Sequence, residues 1–248
     1  MFLNCPVLSF KHRDVASLEV ALKLCGIGAR PIVLTDGMFS HDGSVAPLHE
    51  YLKLLPRDGL MLVDDAHGAG VLGKTGGGAV ELSGVSRQRV VQCLTLSKAF
   101  GVYGGAIICQ GKLRARMVAS PAFVGSTPLP LPLANAAVEA LAVLAEGKSL
   151  RARLSENATR MKSGLRESGL NLPDHPGPII PLHFGNASDT AELKSALLAA
   201  NILPPLIHYP GAPTGGYYRF VVSSEHSKAQ LRGLIRVLTQ FAGIANRL

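Results

Sequence analysis

The chain is expected to be an α/β protein: part of a large domain built on a mostly parallel sheet, followed by a smaller C-terminal α/β unit. Three observations predict it. Short apolar runs of strand length alternate with helix-length stretches, the pattern that gives parallel sheets flanked by helices. Polar clusters follow two of those runs, Asp64-Asp65-Ala66-His67-Gly68 and Thr95-Leu96-Ser97-Lys98-Ala99-Phe100-Gly101, and strand ends are where open α/β sheets gather ligands. With 47% hydrophobic and only 17% charged residues, the 248-residue chain has enough apolar surface for one large or two modest cores.

The elements follow in order. Residues 31–34 and the run Leu60-Met61-Leu62-Val63 are short strands around a helical stretch at 47–55, and residues 90–94 and 106–109 add two more strands. From Pro132 a helical pattern with Ala136, Ala137, Leu141 and Leu144 continues towards residue 165, with a break near Gly147. Its prolines lie at the start, where a missing N–H costs nothing. Beyond it, strands at 179–184 and 218–222 and helices at 189–200 and 227–241 make the smaller unit, so the domains are expected at 1–131 and 132–248. Residues 173–178 and 211–216 are loops by composition, and His175 is expected to be exposed. Ser223 or Ser224 reads as an N-cap, which makes His226 structural. Gly76-Gly77-Gly78 lacks the Lys-Ser/Thr of a nucleotide-binding loop and reads as a flexible turn.

Composition excludes several functions. The net charge of +8 comes from scattered residues, with small clusters such as Arg87-Gln88-Arg89 and Arg114-Ala115-Arg116, and aromatics are 5%. Without a stacking platform or a recognition motif, nucleic acid is not an expected partner. No apolar run reaches the roughly 18 residues of a membrane span. Cys5, Cys25, Cys93 and Cys109 show no Cys-x-x-Cys or zinc spacing and read as small buried hydrophobes, which suits a reducing cytoplasm.

The chemistry lies in the two polar clusters. An amine such as Lys98 can hold an aldehyde cofactor as a Schiff base and, once displaced, act as a general base. A carboxylate such as Asp64 beside a pyridine nitrogen keeps that nitrogen protonated. His67, past the turn, suits the ring's phenolic oxygen or a place near its face, and Thr95 offers a hydroxyl to a phosphate. Gly101, Gly104 and Gly105 permit close backbone approach. A lone lysine after a strand is usually solvated, and a lone Asp-x-x-His is usually a turn. Their combination at two strand ends predicts pyridoxal 5'-phosphate (PLP).

These segments resemble the α-oxoamine synthases, a family within the fold-type I PLP enzymes. The resemblance runs from about Ser9 to the C-terminus. It is carried by Asp36-Gly37-Met38-Phe39-Ser40-His41-Asp42-Gly43, by Val63-Asp64-Asp65-Ala66-His67-Gly68-Ala69-Gly70, and by the Lys98 segment. Gly125-Ser126-Thr127-Pro128 and Tyr218-Arg219-Phe220 with Ser223-Ser224-Glu225-His226 complete it. It implies that Lys98 is the Schiff-base lysine, Asp64 the pyridine-nitrogen partner and His67 the phenolic-oxygen partner. It further implies that Ser40 and Thr95 are cofactor contacts, that Arg219 holds the substrate carboxylate, and that Ser223 touches the substrate.

The implied reaction joins an amino acid to an acyl-coenzyme A with loss of carbon dioxide. The biotin-type activity, 8-amino-7-oxononanoate synthesis, is favoured. An aminotransferase, or an inactive fragment or partner subunit, remains as the alternative. The family's homodimer is also implied, with Ser126-Thr127 similar to a segment that reaches the neighbouring cofactor. Members carry a glycine-rich phosphate loop and a ring-stacking histidine ahead of the phrase Phe10-Lys11-His12-Arg13-Asp14. The 248 residues are therefore expected to hold only part of a cofactor cradle, and to bind and turn over poorly alone.

Overall fold

The computed structural model describes residues 5–208 and 215–245. The chain forms two compact units, one of Met1–Met38 with Val45–Glu146 and one of Phe39–Ser44 with Gly147–Leu248. Where the sequence reading sets a single boundary at 131/132, the long helical run divides at Gly147, so its halves pack in different units.

The first unit is built on a sheet of order β1-β2-β3-β4. Strands β1 (Ile32–Asp36), β2 (Leu60–Asp64) and β3 (Val90–Thr95) are parallel, and β4 (Gly105–Ile108) runs antiparallel to β3. Physical economy explains the mixture. The connections from β1 to β2 and from β2 to β3 carry helices α2 (Leu48–Leu54) and α3 (Gly78–Leu82), long enough to cross over, whereas the tight loop 96–104 only lets the chain turn back.

Strand alternation then sorts the side chains. Val33, Met61, Val63, Val90 and Gln92 share one face and are all buried. On the opposite face Ile32, Leu34 and Ile107 are 60%, 55% and 51% exposed, unlike the doubly covered sheets usual for parallel strands. Helices α1 (Val15–Lys23), α4 (Gly111–Val118), α5 (Pro121–Val124) and α6 (Leu131–Glu146) complete the unit. The Gly76-Gly77-Gly78 run is no flexible turn: Gly77 caps α3, and Gly78, at φ +82°, is buried within it.

The second unit holds an antiparallel sheet of order β5-β7-β6, from β5 (Ile179–Leu182), β6 (Leu206–Ile207) and β7 (Tyr217–Val221). Helices α7 (Lys148–Glu167), α8 (Ala187–Ala199) and α9 (Lys228–Thr239) accompany it. Its core includes Met161, Leu165, Ile180, Leu182, Leu193, Leu197, Tyr218 and Leu238, all but inaccessible to solvent. Each such aliphatic side chain contributes roughly 1.5–3 kcal/mol on burial. Glycine at 164 lets α7 and α9 approach, since a Cβ there would stand 2.8 Å from Ile235 Cδ1.

The structure corrects several local readings. The N-cap of α9 is Ser227, which forms a reciprocal capping box with Gln230; Ser223 lies in a separate turn ahead of it. The loop 211–216 falls largely outside the described residues. His175 is half-buried, and its carbonyl accepts a bond from Lys162. None of the four cysteines is fully buried: Cys5 is exposed and the others are half-buried. Among the described residues no helix is long and apolar enough to cross a membrane.

Candidate functional site

Asp64 is the last residue of β2, exposed, on the face opposite Met61 and Val63. Its Oδ1 accepts the Ala66 N–H at 3.1 Å, closing the turn that carries His67. That turn continues through Gly68, whose carbonyl accepts from the Val71 N–H at 3.0 Å and the Leu72 N–H at 2.8 Å. Local sequence alone makes this shape: a carboxylate that caps its own turn, then residues small enough to fold tightly.

Lys98 sits on the loop between β3 and β4. The loop is closed by Leu96 N–H to the Gly104 carbonyl and Val102 N–H to the Leu96 carbonyl, both 2.9 Å, and by Gly101 N–H to the Lys98 carbonyl at 3.0 Å. Gly101 takes φ +66°, the left-handed conformation that a side chain would strain. Thr95, the final residue of β3, accepts the Ser97 N–H at 3.2 Å and donates to the Gly104 carbonyl at 3.3 Å. Its hydroxyl thus shapes the lysine loop.

These two loops meet. Lys98 Nζ lies 2.9 Å from His67 Nε2. Asp36, which the sequence reading did not single out, is the cross-strand partner of Asp64, so two carboxylates stand side by side at the ends of β1 and β2. Asp64, His67, Thr95 and Lys98 all belong to the first unit. An amine, an imidazole, a carboxylate and a hydroxyl stand together at the carboxyl end of parallel strands, a donor set whose chemistry fits the aldehyde, phenolic oxygen, pyridine nitrogen and phosphate of an aldehyde-bearing pyridine phosphate.

Beneath them lies Asp65, which is fully buried. Its Oδ2 accepts from Gln92 Nε2 at 2.6 Å and from the Ala79 N–H at 2.8 Å. Burial pushes its carboxyl above the usual range; the bonds from Gln92 and Ala79 and the Arg87 charge oppose the rise, and neighbouring Asp64 adds to it. Strand alternation was the signal available: a residue next to an outward Asp64 must point inward.

In the second unit, Arg219 on β7 donates from Nη1 to the Ser40 carbonyl at 3.2 Å. Ser40 belongs to the 39–44 turn, held by Phe39 N–H to the Ser44 carbonyl at 2.8 Å and Gly43 N–H to the Phe39 carbonyl at 2.9 Å. Ser223 is exposed, and its Oγ accepts the Glu225 N–H at 3.2 Å. Its backbone N–H donates to His226 Nδ1 at 3.0 Å, so His226 braces the turn as a structural residue. His183 stacks on Tyr217 with ring centroids 4.9 Å apart, and burial lowers its basicity.

A model of the family described as aminotransferase class I and II matches residues 4–238. The chain is 36% identical over 234 residues to 8-amino-7-oxononanoate synthase of Exiguobacterium sibiricum, covering 93% of this chain and 60% of that protein. It is 37% identical over 235 residues to the synthase of the same name from Thioalkalivibrio sulfidiphilus, covering 92% of this chain and 60% of that one. Among solved structures, a serine palmitoyltransferase variant from S. paucimobilis with PLP and myriocin bound superposes with a TM-score of 0.85 at 26% identity, over 94% of this chain and 60% of that chain. The 248 residues thus span about three fifths of the length of these relatives.

Proposed function

Because the chain belongs to the aminotransferase class I and II family, we propose that it acts in a PLP-dependent α-oxoamine synthase of the 8-amino-7-oxononanoate type, condensing an amino acid with an acyl-coenzyme A and releasing carbon dioxide. The observation that carries this reading is the 2.9 Å contact between Lys98 and His67, next to Asp64 at the strand ends. The curated relatives named 8-amino-7-oxononanoate synthase support the choice of reaction.

PLP, when bound, supplies an electron sink for the carbon next to the amino group. Lys98 is the amine that would hold its aldehyde, Asp64 the carboxylate for its pyridine nitrogen, and His67 the partner of its phenolic oxygen. Ser40 and Thr95 would add contacts. Lys98 Nζ is also the atom that takes and returns a proton, and His67 Nε2, at hydrogen-bond distance, orients it. Arg219 would receive the substrate carboxylate, since a planar guanidinium matches two carboxylate oxygens at once, and Ser223 would lie against the substrate.

The same reading includes a homodimer and a cytoplasmic setting, the latter supported by four cysteines that are free. The test is covalent capture. The protein is incubated with PLP, reduced with borohydride and digested; the expected phosphopyridoxyl label is on the peptide containing Lys98 and vanishes in Lys98→Ala. Capture at another lysine would overturn the assignment of Lys98. Release of coenzyme A from alanine and a pimeloyl thioester then separates synthase from aminotransferase, which would instead pass its amine to a keto acid.

A further inference from the structure

Asp65 has no part in the chemistry above, yet it is a carboxyl group sealed from solvent. A well-packed apolar residue would be less costly at such a position, so a buried acid calls for a reason. Its environment supplies one. Oδ2 takes the Gln92 and Ala79 donors, while Oδ1 has no hydrogen-bond partner among the described residues. Oδ1 instead faces the methylenes of Gly37 and Gly68, and Gly78 crowds Oδ2: a Cβ added at any of the three would run into the carboxyl. Cα–H···O contacts are too weak to satisfy a carboxylate, so the group is retained at a cost in stability.

Two turns and the start of α3 therefore rest on one side chain. Gly37 follows Asp36 at the end of β1, Gly68 follows His67, and Gly78 opens α3. The backbone of Asp65 is fixed as well, its N–H donating to the Cys93 carbonyl at 2.7 Å and its carbonyl accepting from Ala69 at 2.9 Å. Gln92 is itself braced, donating to the Gly77 carbonyl at 3.0 Å and accepting from Arg87. The carboxyl thus ties β3 and α3 to the underside of the His67 turn.

We propose that Asp65 is a positioning residue that sets the seat of the Gly68 turn and thereby holds His67 Nε2 within hydrogen-bond distance of Lys98 Nζ. This rests on reading His67 and Lys98 as the working pair. Neighbouring carboxyls divide the labour by strand alternation: Asp64 points outward to the chemistry, and Asp65 points inward and fixes the turn.

The test is an NMR titration of the histidines in the 248-residue chain without cofactor, with His67 assigned from His67→Asn. In Asp65→Asn, the amide oxygen meets the Gln92 and Ala79 donors, and the new N–H groups face glycine methylenes with no acceptor. The expected result is a His67 midpoint displaced by about half a pH unit, roughly threefold in proton affinity. Gly68→Ala, which sets a methyl against Oδ1, should displace it too, and the further displacement it causes in an Asp65→Ala background, relative to Asp65→Ala alone, should be smaller, because the obstruction is gone.

A folded Asp65→Asn protein with a lowered melting temperature and an unmoved His67 would overturn the proposal and leave Asp65 a purely structural residue. If Asp65→Asn does not fold, Gly68→Ala in the wild-type and in the Asp65→Ala background decides: a Gly68→Ala displacement that is as large relative to Asp65→Ala as it is relative to wild type would equally overturn it. Because the titration contains no PLP, capture of PLP at a lysine other than Lys98 would count against the proposed function alone.

Discussion

The Lys98 amine lies 2.9 Å from His67 Nε2, although 31 residues separate the two in sequence. A protonated amine can only donate, so the ring then accepts at Nε2 and carries its hydrogen on Nδ1. The imidazole thus aims the lysine through Nε2.

Replacing His67 with Phe removes that acceptor and keeps a ring of similar size. PLP capture at Lys98 is expected to weaken by about tenfold, consistent with the loss of one hydrogen bond to a charged group at the low end of its range, roughly 1.5 kcal/mol. Absorbance titration with PLP measures it, and an affinity equal to wild type would remove His67 from the reading.

Arg219→Lys keeps the charge but loses the planar fork. The KM for the amino acid is expected to rise on the order of tenfold or more, because a single ammonium does not reproduce two parallel bonds to a carboxylate. Steady-state kinetics of the active enzyme decide the matter, and an unchanged KM would assign the carboxylate to another residue.

Lys162 predicts a pH dependence. Its ammonium is buried on α7 and donates to the carbonyls of His175 and Gly177, both at 2.7 Å. Burial, with the nearby Arg166 charge, lowers its pKa from 10.5 to about 8, against the opposing pull of Asp174. Between those values the unfolded chain binds the proton that the folded chain has released, so this group makes stability rise with pH across that window, by at most about 1.4 kcal/mol per pH unit. Lys162→Met lacks the term. Urea unfolding at about pH 7 and about pH 9.5 should show wild type gaining on the variant as pH rises; a constant gap would refute the lowered pKa.

Ser227→Ala opens the capping box at the start of α9, where Ser227 Oγ accepts from Gln230 N–H at 3.2 Å and the Gln230 side chain accepts from Ser227 N–H at 2.8 Å. The expected loss is about 1 kcal/mol of unfolding free energy, with Ser227→Gly costing only a few tenths. Denaturant midpoints measure both.

Periodic apolar runs made the main strands and the long helices legible. The strands expected at 60–63 and 90–94 fall within observed strands and that at 31–34 overlaps one beginning at Ile32, and Gly147 divides α6 from α7 as its helix-breaking character predicts. Other elements left no such trace. Helix α4 buries none of its residues, so it has no apolar stripe to read, and α3 begins at a glycine whose helical place is decided by packing against Asp65 rather than by propensity.

By itself, the sequence determined the residue types at the strand ends, because a buried parallel strand must be written as an apolar run and the polar residues after it are exposed to ligand. It named Lys98, Asp64, His67 and Arg219 as candidates. Tertiary structure alone decided which of them touch: that His67 meets Lys98, that Arg219 reaches the Ser40 carbonyl 179 residues away in sequence, and that Asp65 packs against two turns and the start of α3. Hydrophobic periodicity is a local signal with a period of two or 3.6 residues, whereas a hydrogen bond between distant loops depends on strand register and loop closure, which no local pattern encodes.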